Sequence, residues 1–177
     1  MISPDDSCSL CPLCSGRTNI VRPSGDLSSK VVFVGEAPGE NEDLKGVPFV
    51  GRAGRILDEA LSVAGIDRSS VMITNTVKCR PPGNRDPTEE EMAACRRYLI
   101  SELEGRALVV GLGRSSCRDL MGYKGKIRDV VNVPVDINVG DVPIRFLPAY
   151  HPMACIYSKD AYASLVLTME IVRGYMR

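Results

Sequence analysis

Tryptophan is absent from these 177 residues, phenylalanine occurs only three times, and there is one histidine, His151. A single histidine excludes catalytic schemes that need two and zinc sites built on a histidine pair. No apolar run approaches the roughly 18–20 residues of a membrane span. The first ten residues have neither the basic start nor the apolar stretch of a secretory signal. Charge of one sign is also missing, since 22 Lys and Arg balance 22 Asp and Glu. A bulk polycation that coats nucleic acid is therefore excluded, and any nucleic-acid binding must use a local patch. These absences lead us to expect a cytoplasmic protein with no membrane association. With 44% hydrophobic and 25% charged residues, the chain has an ordinary globular composition. The length suits one domain over 1–177, with a monomer as the default.

What the chain has in excess is cysteine. There are seven: Cys8, Cys11, Cys14, Cys79, Cys95, Cys117 and Cys155. In a reducing compartment such a set points to a metal or cluster before disulfides, and an odd number cannot pair fully. Cys8, Cys11 and Cys14 form a C-x2-C-x2-C run. The ferredoxin continuation C-x3-C-P fails, because Thr18 stands where the fourth cysteine would be. A four-cysteine site must then recruit from far down the chain. Cys79 and Cys95 are the best candidates, each beside basic residues (Lys78, Arg80, Arg96, Arg97) that favour thiolates. Composition alone leaves an iron–sulfur cluster, zinc and neither all open. Cys117 and Cys155 read as small buried hydrophobes.

Apolar blocks alternate with helical patterns. Strands are expected at Lys30–Val34, ending at Gly35; at Val71–Thr74, ending at Asn75; and at Ala107–Gly111. Two more are expected at Val130–Val135 and Val142–Leu147, flanking a turn at Asn138–Gly140. Helices are expected at Ala53–Gly65, from Thr88 to about Leu103, near Arg114–Met121, and from Asp160 to about Arg173. Thr88 and Glu91 stand at capping-box spacing, and RPPGNRDP at Arg80–Pro87 is a loop. The alternation predicts an α/β fold of three layers, α/β/α, with a mainly parallel central sheet. In such sheets sites gather outside the carboxyl ends of the strands. Gly35–Asp43 (GEAPGENED), Asn75–Arg80 (NTVKCR) and Tyr150–Met153 (YHPM) all fall there.

Each of these segments also has a plain reading. GEAPG could be an ordinary strand-to-loop turn with Glu40, Glu42 and Asp43 as a solvated acidic tip. Neither phosphate-loop pattern is present. Phe49, in PFVG, could plug the core or offer a stacking platform. Asn75 could simply form a turn, yet its amide sets a donor beside an acceptor and could read a planar imide edge. His151 could be a satisfied structural residue. The following Pro152 would suit a positioned donor.

Taken together and in order, these motifs resemble the family 4 uracil-DNA glycosylases, the iron–sulfur branch of that superfamily. The landmarks are C-x2-C with GRTN (Cys8, Cys11, Gly16–Asn19), VGEAPGENED, GVPFVGRAG, ITNTVKCRPPGNRDP, Cys95 and YHP, spanning Cys8 to about Pro152. The resemblance implies a [4Fe–4S] cluster held by Cys8, Cys11, Cys79 and Cys95, with 1–20 as its N-terminal segment. The spacing from Arg17 in family members selects Cys11 as second ligand and leaves Cys14 as an extra thiol. The implied reaction is hydrolysis of the N-glycosidic bond of uracil in single- or double-stranded DNA, giving free uracil and an abasic site after base flipping. Backbone groups at Gly35, Glu36 and Ala37 would hold the base, and Phe49 would stack on it. Asn75 would pair with O4 and N3–H. Glu42 would crowd C5 against a thymine methyl, and His151 would donate to O2. Ala37 stands where some branches carry a water-activating Asp, so Glu36 and Glu42 are the candidates for orienting water. Met153 and Ala154 could fill the gap left by the flipped base. Lys78, Arg80, Arg85, Arg52 and Arg55 would supply the local positive patch. RPPGNRDP contains no histidine, so the covalent trapping of a related branch is not expected. Two other classes stay open: a non-catalytic DNA-damage binder of the same fold, and a redox protein using the cluster for electron transfer.

Overall fold

The computed structural model describes residues 1–176. Six strands form one sheet in the order β1-β3-β2-β4-β6-β5. They are β1 (Ser24–Gly25), β2 (Val31–Gly35), β3 (Met72–Asn75), β4 (Leu108–Leu112), β5 (Val135–Val139) and β6 (Val142–Ala149). The four central strands run parallel, and the two edge strands pair antiparallel. Among the described residues there are five α-helices, α1 (Glu40–Lys45), α2 (Arg52–Val63), α3 (Glu89–Leu103), α4 (Arg114–Met121) and α5 (Lys159–Tyr175), of which the last four cover the sheet.

Period-two alternation explains the layers. Val31 and Phe33 of β2 face one side, where Leu57 and Leu61 of α2 and Leu165 and Met169 of α5 cover them. Val32 and Val34 face the other, against Leu99 and Leu103 of α3 and Cys117 and Leu120 of α4. Both faces are covered, so β2 is a continuous apolar run, as parallel strands are. The expected three-layer α/β/α architecture is therefore present. Cys117 is a core hydrophobe, fully buried, and Cys155 packs against the core's edge. Among the described residues no helix is long and apolar enough to cross a membrane.

The start of α3 follows its sequence signal. Thr88 Oγ1 accepts from the Glu91 amide at 3.2 Å, and the Glu91 carboxylate accepts from the Thr88 amide at 2.8 Å. One expected strand is misplaced. Val130–Val135 is not a strand; pairing begins only at Val135 and continues to Val139, where a two-residue link leads into β6. The reason is Asn132, which adopts a left-handed conformation (φ +63°) and breaks the apolar run. Its amide nitrogen donates to Pro148 O, and its side chain binds Ser164 and Thr168 of α5. That asparagine docks a helix where valines on either side suggest a strand.

Candidate active site

Sheet register assembles the site. Gly35 and Asn75 are paired residues at the carboxyl ends of adjacent strands β2 and β3. Leu112 and Ala149 are paired at the ends of β4 and β6, two residues before His151. The loops that follow β2, β3 and β6 enclose a cleft of about 540 Å³. Glu36, Ala37, Glu42, Phe49, Asn75 and His151 all line it.

Gly35, buried at the end of β2, lies against two of these residues. A Cβ there would overlap Asn75 Oδ1 and lie 2.6 Å from two Phe49 ring carbons. Phe49 itself is buried and held at φ +52°, a left-handed geometry that a bulky residue seldom adopts. Gly54 in α2 permits this, since a Cβ there would overlap the Phe49 carbonyl. The Phe49 ring stands 6.1 Å from the His151 ring, tilted by 35°. Asn75 is buried, yet its side chain lines the cleft and its amide takes no part in the bonds that hold its own backbone.

His151 Nδ1 accepts from the Met153 amide at 3.1 Å. The ring proton of the neutral form is therefore on Nε2, the one imidazole donor left. Burial lowers the imidazole from 6.5 to about 4. A neutral ring with a fixed tautomer is thus available at physiological pH. Because the unfolded chain takes up its proton near 6.5 and the folded chain only near 4, acid in that window favours unfolding. His151 is the only histidine, so its ring C–H resonance is unambiguous. We expect that resonance to stay unshifted from pH 8 to about pH 5 by NMR. A midpoint near 6.5 would refute the buried neutral tautomer.

The two acidic candidates differ. The Glu42 carboxylate is engaged by three backbone amides: Gly39 at 3.1 Å, Val50 at 3.0 Å and Gly51 at 2.9 Å. It braces the GEAPG loop against the Phe49 loop. The Glu36 carboxyl is raised by burial; Ser115 lowers it, Asp86 raises it further and Arg118 lowers it. Asp43 is not part of a solvated tip. It is buried, and its carboxylate accepts from the Thr18 and Asn19 amides at 2.9 and 3.2 Å. Only Glu40 of the three is exposed.

Five of the seven cysteines come together. Cys8, Cys11, Cys14, Cys79 and Cys95 surround one small void, packed with Leu13, Ile20 and Met92. All seven cysteines are free thiols. Among the described residues no three Cys, His, Asp or Glu side chains close to single-ion spacing. Burial pushes the Cys79 thiol to about 11 and raises Cys95 and Cys11 as well. Sequence reasoning used Arg17 only as a landmark. Its guanidinium donates to Cys8 O at 2.7 Å and to Cys79 Sγ at 3.6 Å, joining the N-terminal segment to the β3 loop. Nothing short of the fold places Arg17 beside Cys79.

The expected basic patch loses one member. Lys78 is buried in an ion pair with Glu102 at 2.7 Å, both 1% exposed, and cannot meet a phosphate. Arg85 pairs with Glu91, and Arg80 bonds Asn84. Arg52 and Arg85 line the cleft, and Arg55 is exposed nearby. Met153 lines the cleft, whereas Ala154 is exposed.

The family model described as Uracil DNA glycosylase superfamily matches residues 22–169. A type-4 uracil-DNA glycosylase of Thermotoga maritima is 45% identical over 170 residues, 94% of this chain and 87% of its own length. One from Archaeoglobus fulgidus is 41% identical over 164 residues, covering 85% and 79%. A type-5 uracil-DNA glycosylase of Pyrobaculum aerophilum is 33% identical over 150 residues, covering 75% and 65%.

Proposed function

Because the chain belongs to the uracil DNA glycosylase superfamily, and within it to the type-4 enzymes, we propose that its cleft reads and releases uracil through the residues gathered around Gly35. The protein is a DNA-repair glycosylase. A uracil flipped into the cleft would lie over the Gly35–Ala37 backbone with Phe49 against its face. Asn75 would donate to O4 and accept from N3–H. Cytosine reverses that edge, and a mispaired buried group costs about 1–3 kcal/mol. The bond from C1′ to N1 breaks, and its electron pair spreads onto O2 of the departing uracil. His151 Nε2–H would bond that oxygen as it becomes anionic. Water adds to C1′, and its released proton balances the uracil anion. Ala37 supplies no carboxylate, and the Glu42 oxygens are already engaged by amides. Of the two acidic candidates Glu36 is therefore better placed to orient the water, and Glu42 to shape the wall beside C5.

Cys8, Cys11, Cys79 and Cys95 fit a [4Fe–4S] cluster. They line one void, with Cys14 beside them, and an all-thiolate donor set of this kind suits an iron–sulfur cluster. When bound, such a cluster supplies a cross-link between 1–20 and the β3–α3 loop; 1–177 would act as one unit. DNA phosphates would meet Arg52, Arg55 and Arg85, so binding should weaken with salt. The working form would be a monomer in the cytoplasm.

The observation that supports this reading is that the Asn75 amide, at the strand end paired with Gly35, the Phe49 ring and the His151 imidazole line one cleft. The test is uracil release from an oligonucleotide with one U·G pair, against T·G and C·G controls, using anaerobically purified brown protein assayed for iron. Release confined to the uracil strand, with about four irons per chain, is expected. DNA binding without release would establish the damage-binding alternative instead.

A further inference from the structure

Asn75 can read a base edge only if its amide points one way, and that amide is not among the bonds holding its own backbone. Its aim must come from its backbone. The peptide unit joining Asn75 to Thr76 is held at both ends. Its N–H, on Thr76, donates to Gly35 O at 3.0 Å. Its carbonyl, on Asn75, accepts from Lys78 Nζ at 2.6 Å. With both ends fixed the peptide plane cannot rotate, and the Cα–Cβ direction of Asn75 follows.

Lys78 is unusual in this position. Its ammonium is out of water, and its three donors are all used: Asn75 O, Thr74 Oγ1 at 2.8 Å and Glu102 Oε2 at 2.7 Å. The Thr74 hydroxyl also bonds Glu102 Oε2, at 2.9 Å, while Glu102 Oε1 is buried without a partner. Such a pair is a poor stabiliser, since apolar residues of similar volume often replace one at no loss. Glu102 lies two turns after Cys95 on α3, and Lys78 directly precedes Cys79. The pair therefore bridges the same two elements as the cysteines and transmits their spacing to the base-reading residue.

We propose that Lys78, charge-paired with Glu102, is a positioning residue for base recognition: it locks the Asn75–Thr76 peptide and so aims the Asn75 amide at the uracil edge. The inference rests on the base-reading role given to Asn75 above. Lys78→Met alone strands a buried carboxylate and can fail through folding. The deciding variant is Lys78→Met with Glu102→Leu, which removes both charges together. We expect it to melt close to wild type and to keep the brown cluster absorbance. Its inhibition constant for free uracil should rise about tenfold or more, and kcat/KM on U·G DNA should fall roughly 10- to 100-fold. Thr74→Val, which removes the two bonds of the Thr74 hydroxyl but leaves Lys78 on Asn75 O, should show a smaller change of the same sign. A merely structural pair would alter melting and leave the uracil inhibition constant unmoved. The Asn75 side-chain amide signal, observable by NMR with or without turnover, should shift in the double variant. Wild-type uracil release combined with unchanged inhibition and an unshifted Asn75 signal would overturn the proposal while leaving the glycosylase reading intact. Failure of the wild type to release uracil would overturn that reading first, and this inference with it.

Discussion

Replacing His151 by alanine should slow uracil release from DNA by roughly 100- to 1,000-fold, the range seen when one aimed donor to a developing anion is removed. The Met153 amide occupies Nδ1 and burial keeps the ring neutral to about pH 4, so Nε2–H is the imidazole's one donor. No proton has to be lost or gained before it acts. Without a carboxylate at Ala37, the proposed reaction would lean on the leaving group, which is why one donor should matter so much. Fold and cluster absorbance should survive, because His151 is only partly buried and is not among the residues around the cysteine void. A variant within a few-fold of wild-type single-turnover rate would refute the assignment. So would loss of the brown colour, which would mean that the residue supports the structure. The wild-type rate should not fall through pH 6.5 on account of His151, as it would for an exposed imidazole.

Much of this arrangement was legible beforehand because it depends on local rules. The apolar run of β2, the Thr88–Glu91 cap and the placing of sites at strand ends each follow from a few adjacent residues. What stayed hidden depends on partners distant in sequence. Lys78 beside Cys79 looks like a surface cation until Glu102, 24 residues on, is found against it. Arg17 meets Cys79 across 62 residues, and Asp43 meets Thr18 across 25. Asn132 misleads for a related reason: its left-handed backbone is stabilised by α5, more than 30 residues later, which the valines around it do not foretell. Glu42 is intermediate. Its motif was recognisable, but only the folded loops show both its oxygens bracing backbone amides.

The smallest change with a large expected effect is Gly35→Ala. Gly35 pairs in register with Asn75 at the end of β2, and nothing about its own backbone forbids alanine, since its φ is not positive. The obstacle is space. The new methyl would overlap Asn75 Oδ1 and press on the Phe49 ring at 2.6 Å. Neither neighbour can retreat easily. Asn75 is fixed through its peptide, and Phe49 already has strained backbone wedged against Gly54. The methyl would therefore push on the Asn75 amide and the Phe49 ring, two groups that line the cleft. Overpacking of this kind costs about 1–3 kcal/mol of stability, tolerable in a domain with two full apolar layers. The base, however, would be kept from lying between Phe49 and the Gly35–Ala37 backbone, and misplacement of about 1 Å can itself cost 100-fold. We expect uracil release to fall by at least that factor, while salt-dependent DNA binding through Arg52, Arg55 and Arg85 changes little. Gly16→Ala is the matched control, because a Cβ there meets nothing within 4 Å. It should leave excision unaltered. Near-normal excision by Gly35→Ala would mean that the base does not depend on how these two side chains are set. The roles given to Asn75 and Phe49, which frame the same space, would then have to be reassigned with it.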